Sequence, residues 1–108
     1  CSSLVALAEA TNFARKSGLP LDRFKQAVAA GPLSSDFVTI KLPKMIEGDF
    51  ELQAGVADAH TSTCLIRTEA ARLCSATPQL DVSSDLYARA AKALGPKVDM
   101  SSVISVLD

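Results

Sequence analysis

The chain has 108 residues, 48% of them apolar, with 11 basic against 12 acidic side chains and a formal charge of −1. A domain most often runs to roughly 100–150 residues, so this length makes one domain, able to bury about 60–70% of its unfolded surface in a modest core. The even charge balance excludes the electrostatic footprint of a nucleic-acid or anionic-membrane binder. No apolar run approaches the ~20 residues of a membrane span, and no charged stretch followed by an apolar one reads as a signal peptide.

The pattern is helical from the outset, and the absence of a leading methionine at Cys1 points to a segment of a longer polypeptide. Leu4, Leu7, Ala8, Thr11 and Ala14 fall at helical spacing, and Gly18 and Pro20 end that run. Ala6, Ala8, Ala10 and Ala14 keep parts of this helix thin, which favours close packing. Asp22 is positioned to cap a short second helix, Arg23 to Ala30, closed by Gly31-Pro32. Ser34 or Ser35 caps a third, with Phe37, Ile40 and Leu42 inward and a kink or break at Pro43.

Gly48-Asp49 marks the next turn, and "FELQA" from Phe50 is the one candidate strand, a short one. Asp58 then caps a fourth helix whose inward stripe is Thr63, Ile66, Ala70, Leu73, Cys74 and Thr77, with Pro78 as its stop. A fifth helix starts at Asp81, Ser83 or Ser84, buries Val82, Leu86, Ala90, Ala93 and Leu94, and ends at Gly95-Pro96. Asp99 caps a last short helix carrying Val103, Ile104 and Leu107. The class is all-α, a compact bundle of five to six helices, without internal repeats.

Recognisable chemistry is scarce. The five glycines stand singly near helix boundaries, so there is no phosphate-cradling loop, and no HExxH, CxxC or nucleophile elbow occurs. Three cysteines and one histidine without paired spacing make no zinc site. Cys64 and Cys74 are separated by ~15 Å of helix rise and cannot bridge, so reduced, buried thiols in a cytoplasmic protein are expected. Asp58 and His60 sit where a helix begins, and a cap with its exposed neighbour explains them without function. Glu9 reads as a solvated or interface carboxylate, and Tyr87 as a half-buried packing aromatic. A stand-alone thiol enzyme has only Cys64 or Cys74 behind it, and Cys64 meets His60 only if both share an outward face.

Taken in order, however, the elements resemble a known family. "SLVALAEATNFARKSGLPLDRFKQAVAAG" resembles the helical domain of the β-hydroxyacid dehydrogenases, relatives of 3-hydroxyisobutyrate and 6-phosphogluconate dehydrogenase, through Ala8-Glu9-Ala10, Gly18-Leu19 and Leu21-Asp22. Met45, Gly48, Asp49, Phe50 and Asp58 match the family's run from "M…G-D-F" into a Lys-Asp pair that opens the next helix. Pro78, Tyr87, Gly95, Asp99 and Ser101 match its closing pattern.

The resemblance implies the C-terminal substrate and dimerisation domain, residues 1–108, of a two-domain NAD- or NADP-dependent oxidoreductase acting on a small hydroxyacid. Its partners would be an N-terminal dinucleotide-binding domain and further copies of the same chain. It also implies that the family's catalytic lysine lies upstream of Cys1, leaving no catalytic residue here and no nucleotide expected on this segment alone. The cofactor-facing lysine of the Lys-Asp pair is Ala57, beside a retained Asp58. A non-enzymatic helical module for assembly or regulation is the competing reading, favoured by Ala57.

Overall fold

The computed structural model describes residues 1–32 and 34–107. Among these residues, five α-helices and a closing 3-10 helix follow in order: α1 (Ser2–Lys16), α2 (Leu21–Ala30), α3 (Asp36–Glu47), α4 (Val56–Arg72), α5 (Pro78–Leu94) and the 3-10 helix Met100–Val106. The all-α expectation holds. "FELQA" forms no strand; directly after it, Gly55 makes an isolated antiparallel bridge with Asp99.

The 3-10 helix is the centre of the molecule, packing against α1, α3, α4 and α5. Val103 and Ile104 are buried there with Leu4, Met45, Val56 and Tyr87. Tyr87 is fully enclosed rather than half-buried, and its hydroxyl donates to the Cys1 carbonyl at 2.7 Å, fastening the start of α1 to α5. Burial raises the Tyr87 phenol well above the ordinary tyrosine range.

Several local expectations are corrected. Asp22 does not cap α2; the helix starts at Leu21 after Pro20, whose fixed φ suits the entry, and Asp22 lies in the first turn. Ser35 does cap α3, accepting from the Val38 N–H. Phe37 and Ile40 face outward, and the buried face of α3 is Lys41, Leu42, Lys44 and Met45. Pro43 does not interrupt the helix. Proline deletes only one ladder bond, and burial on both sides of it holds the turn. α3 ends at Gly48, whose φ of +72° lets its N–H return to the Lys44 carbonyl.

α4 begins two residues earlier than Asp58 and stops at Arg72, so Cys74 and Thr77 fall outside it. Its buried residues are Val56, Ala59, Thr63 and Ala70, whereas Ile66 and Leu73 are 55% and 60% exposed. Pro78 does not merely stop α4 but opens α5, the position where a missing N–H costs nothing. Ser83, Ser84 and Tyr87 join Leu86 and Ala90 on the buried side of α5, while Val82, Ala93 and Leu94 are exposed. No helix among the described residues is long and apolar enough to cross a membrane.

Candidate functional site

The entrance to α4 is built by a buried ion pair. Lys41 Nζ donates to both oxygens of Asp99, at 2.9 and 3.0 Å, with both side chains shut off from solvent. Asp99 Oδ1 also accepts from the Gln53 and Ala54 N–H groups, at 3.1 and 2.9 Å. Its Oδ2 accepts from the Ser101 N–H and hydroxyl, at 3.0 and 2.7 Å. Burial alone would raise this carboxyl, but the hydrogen bonds from Ala54, Ser101 and Lys41 outweigh it and hold Asp99 well below the usual carboxylate range. Asp99 is thus a helix cap, as expected, and also the anchor of a segment nearly fifty residues away.

Backbone bonds complete the latch. The Asp99 N–H donates to Phe50, Met100 to Ala54, and Val56 to Val98. Lys44 Nζ donates to the Glu51 carbonyl at 2.9 Å. Two lysines of α3 therefore position the stretch that delivers α4. A lysine at an inward helical position reads as surface in the sequence, and neither was singled out; the Asp-x-Ser motif at Asp99 was the available signal.

Asp58 is not the cap of α4. Gly55 holds that position, and Asp58 is the third helical residue, exposed, where an acid interacts favourably with the dipole. Its carboxylate lies close over Gly55, 3.1 Å from where a Cβ would stand. Ala57 is half-buried beside it. Among the described residues Asp58 has no ion pair, and nothing joins it to His60. A carboxylate here can accept from a ribose hydroxyl or an amide N–H, but it repels phosphate. With alanine at residue 57, the two positions bring no cation to a dinucleotide's pyrophosphate.

His60 faces Cys64 instead, with Nε2 3.4 Å from Sγ, so these two do share one half-exposed face. The cysteines are free, as expected, but Cys1 and Cys74 are exposed and Cys64 is only partly covered, which corrects the reading of buried thiols. Cys74 sits just past the end of α4 with φ +57°, a left-handed conformation uncommon outside glycine. No group of three or more His, Cys, Asp or Glu side chains capable of holding a metal occurs among the described residues.

Apolar surface is left uncovered on α1 and on α4, among other places. The outer face of α1, with Glu9, Ala10 and the 72% exposed Phe13, borders shallow grooves, one shared with Pro78, Gln79 and Val82 of α5. Among the described elements α4 packs on α5 and the 3-10 helix alone, leaving Leu65 and Ile66 bare.

Seventeen chains of solved structures match this one. One is a 3-hydroxyisobutyrate dehydrogenase from Salmonella typhimurium, with a TM-score of 0.91 and 24% identity over 98% of the present chain. The chain spans 37% of the length of that protein, and at this identity the likeness is one of fold. No curated protein matches. The family described as NAD-binding of NADP-dependent 3-hydroxyisobutyrate dehydrogenase matches residues 1–107. With nearly every residue matched, on an all-helical fold shared with a dehydrogenase, the chain belongs to that family.

Proposed function

We propose that the chain is the C-terminal region of an NAD(P)-dependent hydroxyacid dehydrogenase, supplying one wall of the substrate and cofactor cleft and the surface through which copies assemble. The observation that carries this reading is the family match over residues 1–107, under a description that itself specifies NAD binding. The entrance of α4 is the proposed wall. It is held rigidly by Asp99 and Lys41, and a rigid support is what precise orientation of a ligand needs. Asp58 would accept from a ribose or amide group of the nucleotide, while phosphate charge would be met by the N-terminal domain. The acid/base lysine would come from residues outside 1–108, and the nicotinamide would take the hydride. The exposed faces of α1 and α4 would be covered by that domain and by a second copy.

A titration with NADH and NADPH, followed by nicotinamide fluorescence, tests the division of labour. The intact polypeptide is expected to bind one of them saturably. Residues 1–108 alone are expected to show no binding in the low micromolar range, about −8 kcal/mol. Tight binding by the segment alone would contradict the reading. The competing reading, a helical module without enzymatic activity, draws on Ala57 in place of the family lysine, and it would be favoured by an intact polypeptide that binds neither nucleotide.

A further inference from the structure

Of the three cysteines, Cys64 is the one beside a base. Its Sγ lies 3.4 Å from Nε2 of His60, one turn back on α4 and the only histidine in the chain. On the α5 side, Ser84 Oγ lies 3.8 Å from the same sulfur. The buried Thr63 positions the serine: its hydroxyl donates to the His60 carbonyl at 2.7 Å and stands 3.0 Å from Ser84 Oγ. With His60 in the tautomer that leaves Nε2 unprotonated, the sulfur faces an acceptor for its proton and a hydroxyl able to donate to the thiolate. That arrangement activates a cysteine. Cys64 is partly exposed, so a reagent can reach it.

Cys64 also borders a groove of about 480 Å³, lined by Arg67, Thr68, Ser75, Thr77 and Asp81. Arg67 Nε donates to Asp81 Oδ1 at 2.9 Å, with both side chains about half exposed. A cation and an anion side by side on a polar rim complement a molecule that carries both a carboxylate and an ammonium group. The proposed function places the nucleotide at the entrance of α4 and makes no use of this groove.

We propose that Cys64 is a thiolation site, with His60 as its base and the Arg67–Asp81 groove as the seat for the tail of a zwitterionic amino-acid or peptide thiol delivered as its disulfide. His60 takes the thiol proton, and the thiolate attacks one sulfur of the incoming disulfide. The reagent's S–S bond breaks as the new one forms, and the departing thiolate recovers the proton from His60. One disulfide is exchanged for another, and no further oxidant enters.

The test treats the native, intact protein with glutathione disulfide and, separately, with neutral bis(2-hydroxyethyl) disulfide. Adducts at Cys64 and Cys74 are followed in time by peptide mass spectrometry. Although less exposed than Cys74, Cys64 is expected to react about tenfold faster, short of the roughly 100-fold or more that a fully positioned base typically supplies. His60→Gln is expected to bring Cys64 down to the Cys74 rate with both reagents. The Cys74 rate, unchanged, reports that the fold is intact. Arg67→Ala is expected to remove the preference of Cys64 for glutathione disulfide over the neutral reagent. A Cys64 rate no higher than that of Cys74, or one untouched by His60→Gln, would overturn the role of the pair. Equal rates with the two disulfides, unaltered by Arg67→Ala, would overturn the role of the groove.

Discussion

Lys41 and Asp99, fifty-eight residues apart, form a fully buried ion pair in which one ammonium serves both carboxylate oxygens. The pair joins α3 to the closing 3-10 helix and, through the Gln53 and Ala54 N–H groups, sets where α4 begins. Removing one member leaves the other charge buried without its partner. Lys41→Met and Asp99→Asn are each expected to destabilise by about 3 kcal/mol, the low end for a broken buried pair, because the surviving member keeps or finds other hydrogen bonds. The double variant should cost less than the sum of the two, since the second change removes a charge the first has stranded. Urea midpoints for the set measure this; strict additivity would mean the pair is not coupled.

Asp99 also fixes the response to acid. Its carboxyl titrates below the unfolded value of about 3.9, so it contributes stability at pH above that value and loses the contribution as pH falls below it. The wild-type chain is therefore expected to lose stability on acidification below about pH 4 more steeply than Asp99→Asn. Denaturation midpoints against pH check the slope. Parallel curves would show that Asp99 is not held in its charged form.

The helical class, the order of the elements and most turns were legible in the sequence because they are local. Ser35, Gly48, Gly95 and Asp99 act within a few residues of where they stand. What was not legible depends on partners far along the chain. "FELQA" has strand-like composition, but its backbone is claimed by Asp99 and Met100, which turns it into a latch instead of a sheet. Lys41 reads as solvent-facing until its acid is known. The inward face of α3 was assigned to Phe37, Ile40 and Leu42; packing buries Leu42 but turns Phe37 and Ile40 outward in favour of Lys41, Lys44 and Met45. At the candidate site, the resemblance reached Asp58 and Ala57, whereas the meeting of His60 with Cys64 depended on knowing which face of α4 points outward.

Asp58 separates a helix-end role from a cleft role. At the third helical position its charge interacts with the dipole, so both Asp58→Asn and Asp58→Ala are expected to lower stability only slightly, by about 0.3–1 kcal/mol. If it also meets the nucleotide, Asp58→Asn in the intact enzyme should raise KM for the nucleotide, or lower turnover, out of proportion to that loss. Ala57→Lys would restore the family's pair and should alter nucleotide affinity. Thermal melts paired with steady-state kinetics decide the matter. Unchanged kinetics in all three variants would leave Asp58 as part of a helix start and nothing more.

The exposed apolar residues of α1 and α4 are expected to drive self-association of residues 1–108, most simply as a two-fold dimer. Val103 and Ile104 of the 3-10 helix cannot take part, because they are buried completely or nearly so. Phe13→Ser and Ile66→Ser place hydroxyls on the two surfaces without touching the core, and each is expected to shift the sedimentation profile toward monomer if its surface is used. A wild-type chain that stays monomeric at high concentration would contradict the proposal.

The central claim is that these helices complete a hydroxyacid dehydrogenase. It is tested most directly by supplying the intact polypeptide with NAD⁺ or NADP⁺ and a panel of small 2- and 3-hydroxyacids, and following nicotinamide reduction by absorbance. The account predicts reduction that depends on one of the hydroxyacids and disappears when residues 1–108 are removed. A folded, intact polypeptide that reduces neither nucleotide with any member of the panel would contradict it.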